Sequence, residues 1–418
     1  MPQTRRHLSL RGVLAPLTHP MYRRLMISNV LWWQTLSMWT VVAGVLVLDL
    51  TDSALAVTLL SFWRRAAQLS IGSFAGPIGD RLGRRTTILY TQGLILVALT
   101  VILLLFFAGQ LSPWHMGVAA FLIGAAWSVD LPARNALVPD LVGREQTVDA
   151  MLLESLIQGI VSSAGAFFAG WLLDTLGASA AFSFLVAVTS VNVALLGWLS
   201  RQPIAQNTPV RGISIWHSIG EGISYVRHNQ PVLAVTLVSA VLNTLIFPSM
   251  SLLPVFARDV LASGPLGLGL LSAGYNIGSF MGLYLASQMR RTLSIGSIFA
   301  IGALLECVAL VIFAFSPLYI LSWIMLFVAG LGQAGFHTMR NAIILTTASD
   351  EMRGRALSTV GLTQGVGMVG ELQTGLLAER IGAPVTVGVQ STVSALMTAL
   401  VVLALPRLRR EKDDGMMG

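Results

Sequence analysis

The chain has 418 residues, of which 55% are apolar and 11% charged, with a formal net charge of +7. A soluble domain carries about 25% charged residues, so this composition, with a mean hydropathy of +0.75, excludes a soluble enzyme, a disordered scaffold and a disulfide-rich secreted module. The single cysteine, Cys307, lies in an apolar run with no second thiol to pair with, and at about 20 residues per crossing the chain can traverse a bilayer many times.

The first 24 residues carry Arg5, Arg6, Arg11, Arg23 and Arg24. Such a start resembles a secretory leader. The apolar run behind it, however, is long enough to span and ends at Asp49 rather than at a small-residue cleavage site, so it reads as an uncleaved first helix. Spans are predicted at 25–50, 54–78, 86–108, 114–138, 150–173 and 180–199, and again at 232–254, 268–286, 294–315, 318–345, 356–378 and 383–405. Between the two sets, Ile215, Ile219, Ile223 and Val226 recur at helical spacing, a pattern that suits an amphipathic helix lying on the membrane face. The predicted organisation is therefore an N-terminal segment 1–24, a six-helix bundle 25–200, a linker 201–230, a second six-helix bundle 231–405 and a tail 406–418.

The positive charge belongs to the loops. Apart from Arg64, Arg65, Arg134 and Arg340 within spans, and Arg258 and Arg380 in odd-numbered loops, every basic residue falls in the N-terminus, an even-numbered loop or the C-terminus. By the positive-inside rule both termini are expected in the cytoplasm, with the protein in the cytoplasmic membrane. No run of four basic residues occurs and no aromatic residues interleave with them, so nucleic acid is not an expected partner.

The halves repeat each other. Arg134-Asn135-Ala136 returns as Arg340-Asn341-Ala342, Phe121 and Gly124 as Phe327 and Gly330, and Gln158 as Gln364, all at one offset of 206. The stretch Gly170 to Gly177 returns as Gly375 to Gly382 at 205. A parallel repeat of six spans is the plan of transporters that rock two halves about a midplane site.

Gly76-Pro-Ile-Gly-Asp80-Arg81-Leu-Gly83-Arg84-Arg85 resembles the signature between spans two and three of the major facilitator superfamily. Further stretches, Thr51-Asp-Ser-Ala-Leu-Ala, Leu131-Pro-Ala-Arg134-Asn-Ala and Met352-Arg353-Gly354-Arg355, are similar to the enterobactin-exporter-like secretion branch over nearly the whole length. The resemblance implies an all-α membrane protein of twelve transmembrane helices in two pseudo-symmetric six-helix bundles, the major facilitator fold. It also implies a cytoplasmic gate drawn from Asp80, Arg84, Arg85, Asp130, Arg134 and Arg340. Two positions depart from the family pattern. The fifth-span motif reads Gly165-Ala166-Phe-Phe-Ala169-Gly170, and Ala120 stands near the membrane arginine of classical drug/proton antiporters.

A charge at the bilayer centre costs about 2.5–3.5 kcal/mol on insertion scales, so the charges inside spans are the functional candidates. Arg64 and Arg65, with Gln68 one turn on, either line a cavity and hold an anionic group or pair with an acidic residue on a neighbouring helix. Glu371, with Gln364 on its face, is either a proton-coupling carboxylate or that partner. Glu154 and Gln158 share a face in span five and suit a cavity or a gate. Glu306 reads as a neutral, hydrogen-bonded acid at a helix contact, His337 as an interfacial histidine, and Trp32, Trp33, Trp39, Trp63 and Trp127 as packing or stacking aromatics. No metal cluster, nucleotide loop or nucleophile constellation is legible, and Gly267-Leu-Gly269 lacks the spacing of a phosphate loop. The chain is thus expected to be no enzyme and to need no cofactor beyond a proton or ion gradient. It reads as a monomeric secondary exporter of a small anionic or amphiphilic, siderophore-like molecule, with lipophilic-drug efflux, uptake and a transport-dead sensor as alternatives.

Overall fold

The computed structural model describes residues 14–72, 82–143, 145–201, 224–348, 350–406 and 408, and for 350–362 the backbone alone. Among these residues there is no strand. A 3-10 turn, Ala15–Thr18, leads into α1, Pro20–Thr51, followed by α2, Ala54–Gly72, α3, Arg84–Phe107, and α4, Pro113–Val142. The helix Thr147–Ser200 has 54 residues, roughly 80 Å at 1.5 Å per residue, far more than one bilayer crossing needs. Gly177, at φ +80° and ψ 178°, breaks it into α5 (147–176) and α6 (178–200). Then come α7, Gln230–Val260, α8, Gly264–Met289, α9, Ile295–Ala314, α10, Tyr319–Thr347, α11, Asp350–Ile381, and α12, Ala383–Ala404.

Gly382, at φ +83° and ψ 152°, makes the same break before α12 that Gly177 makes before α6. A side chain would be strained at that φ, so only glycine turns the chain there cheaply. The two are partners in the sequence repeat, and the duplication survives as the same backbone punctuation.

Nine of the described helices are long and apolar enough to cross a membrane, counting Thr147–Ser200 once. The helices α2 and α11, which carry Arg64, Arg65 and Glu371, are not among them. Large apolar side chains such as Phe107, Trp114, Leu400 and Leu403 stay mostly uncovered. That pattern fits helices solvated by lipid, whose backbone groups bond within each segment. The signature residues Gly76 to Arg81, Asp80 included, and most of the linker helix lie outside the described residues.

The chain divides into two compact units, one of Met1–Val42 and Ala66–Val210, the other of Ala43–Arg65 and Arg211–Gly418. In the first, Leu25, Ile88, Leu137, Val138, Leu153 and Leu196 form an apolar core. In the second, α8, α9 and α10 meet backbone to backbone at glycines. A Cβ at Gly278 would lie 2.0 Å from the Phe327 carbonyl oxygen, one at Gly330 2.1 Å from that of Tyr275, and one at Gly302 2.7 Å from that of Gly332. Small residues that let helix backbones meet replace the hydrophobic effect as the source of cohesion in lipid. Gly278→Ala should therefore lower the thermal midpoint of the purified protein by an amount worth about 1–3 kcal/mol. Gly93→Ala, where a Cβ meets nothing within 4 Å, should leave it unchanged.

The seventh helix is irregular. It is α-helical over Gln230–Val241, takes a π turn over Leu242–Ile246 and a 3-10 stretch over Phe247–Leu252, and ends in a second π turn, Phe256–Val260. Pro248 and Pro254 lack the N–H that a regular helix needs, which accounts for the departures around them.

Candidate functional site

In the second unit, α11 lies against the first half of α2 through glycines about two turns apart. A Cβ at Gly367 would sit 3.0 Å from an Arg65 guanidinium nitrogen, and one at Gly375 would sit 2.1 Å from Thr58 Oγ1. Between them, Glu371 points at α2. Arg65 Nε donates to Glu371 Oε1 at 2.9 Å, and Ser251 of the irregular α7 donates to Oε2 at 2.9 Å. The same serine lies 2.9 Å from Ser61 Oγ. Arg65 keeps 18% of its side-chain surface and Glu371 only 1%. Of the alternatives open for these residues, the ion pair between neighbouring helices is the geometry found.

Arg64 is different. It is partly buried, acts electrostatically on Arg65 and Glu371, and makes no hydrogen bond among the described residues. Two guanidinium groups and one carboxylate leave a formal charge of +1 at this site. In a low-dielectric setting such an imbalance draws an anion.

One end of this unit carries a second set of ties that the sequence reading did not single out. Arg258 of α7 donates to the Leu48 carbonyl at 3.1 Å and pairs with Asp52 and Asp259. Asp52 sits at φ +51° in the turn between α1 and α2. Glu379 accepts from the Leu55 N–H at 3.2 Å and from Ser53 Oγ at 3.0 Å, satisfying a free N–H in the first turn of α2. The signal available in the sequence was a lone arginine in an odd-numbered loop.

The first unit holds a buried polar ring. Arg134 Nε donates to Asp130 Oδ2 at 3.0 Å, and Gln92 Nε2 donates to the same oxygen at 2.7 Å. Asn192 Nδ2 donates to Gln92 Oε1 at 3.0 Å, Ser28 Oγ to Asn192 Oδ1 at 2.7 Å, and Arg134 Nη1 to Ser28 Oγ at 3.0 Å. The circuit closes through α1, α3, α4 and α6, and Thr91 Oγ1 adds a bond to Asp130 Oδ1 at 3.0 Å. Outside it, Asn29 accepts from Arg134 Nη1 at 2.6 Å and donates to Glu154 Oε1 at 3.1 Å. The Trp32 ring lies 4.7 Å below the guanidinium, so this tryptophan serves a protein cation.

Within the first unit the described gate candidates hold separate partners, and Asp80 lies outside the described residues. Arg84 pairs with Asp140 and donates to the Ala136 carbonyl at 2.7 Å, whereas Arg134 pairs with Asp130. Arg85 donates to the Leu199 carbonyl at 3.2 Å, at the end of α6. Arg340 reaches Asn341 Oδ1 at 3.4 Å and lies 5.7 Å from the Phe336 ring. Among the described residues Gln68, Gln158 and Gln364 join neither polar cluster by a hydrogen bond. Glu306 is fully enclosed and accepts from Tyr275 at 3.0 Å, the hydrogen-bonded helix contact expected of it. His337 stacks on Phe247 with ring centroids 5.6 Å apart.

These features can be set beside known proteins. A family model described as "Transmembrane secretion effector" matches residues 11–417. The enterobactin exporter EntS of Escherichia coli is 23% identical, over 94% of each chain. The multidrug efflux pump Tap of Mycolicibacterium fortuitum is 24% identical over 87% of this chain and 90% of its own. The staphyloferrin A transporter of Staphylococcus aureus is 22% identical over 88% and 92%. Among solved structures, the nucleoside transporter NupG superposes with a TM-score of 0.73 at 15% identity, covering 93% of this chain and 99% of its own. A bacterial homologue of the human lysosomal transporter Spinster gives 0.73 at 14% identity, covering 96% and 99%.

Proposed function

The chain belongs to the transmembrane secretion effector family of major facilitator transporters, and from that premise we propose that it exports a small anionic or amphiphilic organic molecule by alternating access. The observation that carries this reading is Arg64, a guanidinium with no hydrogen-bond partner among the described residues, beside the Arg65–Glu371 pair. A carboxylate, phosphate or catecholate fits the planar donor fork of arginine, and Glu371, itself bonded by Ser251, holds the second arginine in place beside it. Siderophore-like molecules supply such groups, and the names of the enterobactin and staphyloferrin relatives agree with that substrate class.

The direction follows from charge. A membrane potential is worth about 2.3 kcal/mol per elementary charge per 100 mV, and a negative interior pushes an anion outward. The arginine-rich loops support a cytoplasmic-membrane location with both termini inside, and the protein acts as a monomer. A second reading, efflux of lipophilic compounds, draws on the multidrug and macrolide relatives.

Flux into proteoliposomes, paired with profiling of metabolites retained by a deletion strain, tests the proposal. Arg64→Gln should weaken transport of an anionic substrate about tenfold or more, with neutral compounds little affected. Equal losses for both would exclude charge recognition, and flux of neutral lipophilic compounds alone would favour the second reading. Specific binding with no flux for any compound would make the protein a sensor.

A further inference from the structure

The membrane-embedded carboxylates differ in how completely the fold has committed their oxygens. Asp130 is fully buried and accepts from Thr91, Gln92 and Arg134. Glu371 has both oxygens bonded. Asp140 is paired with Arg84. Glu306 also leaves Oε2 without a hydrogen-bond partner among the described residues, but it has no exposed surface through which a proton could pass to or from water. Glu154 stands apart. It is only partly buried, one oxygen accepts from Asn29, and the other makes no hydrogen bond among the described residues.

Its surroundings are unbalanced in charge. The groups that face it are Arg134 and, behind it in the ring, Asp130 from α4, with the Tyr22 hydroxyl from α1. That hydroxyl is committed to the Ala150 carbonyl at 3.0 Å. Gln92 of α3 and Asn192 of α6 are neutral members of the ring. Arg134 and Asp130 cancel, so an ionised Glu154 leaves one negative charge. Arg134 Nη2 is buried and has no hydrogen-bond partner among the described residues, although Nε and Nη1 are both bonded. The Asn29 side chain bonds to both groups and is the physical link between them.

We propose that Glu154 is the site where this transporter takes up and releases a proton, and that Asn29 passes its charge state to Arg134. The inference rests on the transporter reading but not on the identity of the substrate. A proton from water adds to the Glu154 oxygen that lacks a hydrogen bond, giving a neutral acid still bonded to Asn29. Its return to water restores the carboxylate, which then draws on the unused N–H of Arg134. That N–H is available only because the ring holds the guanidinium by its other nitrogens. Loading and unloading therefore change the tie between α5 and the α1–α4 ring, the kind of two-state contact that biases a transporter's conformation.

The test is infrared difference spectroscopy of the purified full-length protein in lipid vesicles, without added ligand, as pH is stepped from mildly acidic to mildly alkaline. The expected result is a reversible band of a protonated carboxyl group, lost in Glu154→Gln and retained in Glu371→Gln. In Asn29→Ala, which leaves the carboxyl group intact, its midpoint should shift. Absence of any reversible carboxyl band in the wild type would overturn the proposal, as would a band that survives Glu154→Gln. An unmoved midpoint in Asn29→Ala would overturn the relay. Failure of the transporter reading would register separately, as a normal band in a protein that supports no flux.

Discussion

Asp130→Ala is expected to destabilise the protein by about 3–5 kcal/mol, a large fraction of the stability of an ordinary fold. The aspartate has no exposed surface, and Arg134 retains 1% of its own. Removing the carboxylate leaves a guanidinium buried without a counter-charge and takes the shared acceptor from Gln92 and Arg134. The ring then opens at one member while four helices still depend on it. Asp130→Asn should lose less, because an amide oxygen still accepts from two of the donors even though the charge is gone. Replacing both Asp130 and Arg134 by leucine should recover much of the loss, since a buried ion pair often stabilises no better than an apolar pair of similar volume. Thermal unfolding in detergent micelles measures all three. An unchanged midpoint in Asp130→Ala would mean that the ring is incidental to the fold.

Glu371→Ala should rank second, at about 3 kcal/mol or more by the same reasoning. Its loss leaves Arg64 and Arg65 together with no anion and removes the acceptor of Ser251. The informative comparison is with the Arg65→Ala/Glu371→Ala pair. If the carboxylate serves chiefly to balance the second arginine, the double variant should be more stable than Glu371→Ala alone. Additive losses would instead show that each residue acts independently. Glu371→Gln keeps hydrogen-bonding capacity without the charge and should fall between wild type and Glu371→Ala. A high concentration of an anionic ligand should partly rescue Glu371→Ala, because anything that binds only the folded state stabilises it.

Much of the fold was legible because a bilayer narrows the choices. Apolar runs of spanning length gave the helices, and the repeat at one offset anticipated the matching breaks at Gly177 and Gly382. The candidate residues were legible as a class, since charges in apolar runs stand out. Their partners were not. Glu371 could have met either arginine or neither. Asp130 and Arg134, four apart on one helix, looked like members of a gate, and nothing local hinted that Ser28, Gln92 and Asn192 would close a ring around them. The proline pair of α7 was visible as Pro248 and Pro254, yet no sequence rule says that the resulting irregular helix would bring Ser251 to Glu371.

What this sequence settled by itself is the solvent and the secondary structure. In hydrocarbon every backbone N–H and C=O must be satisfied within its own segment, so apolar runs of sufficient length have little choice but to be helices. Tertiary structure alone decided which charges meet. Arg65 and Glu371 are 306 residues apart in sequence, and they touch because glycines on α11 let two helix backbones approach until a short carboxylate reaches a guanidinium. Whether a buried charge is paired, held in a ring or left over depends on ångström-scale contacts between distant segments. Composition and periodicity do not encode those contacts, so Arg64 and Glu154 emerged as the unbalanced charges only once the helices were packed.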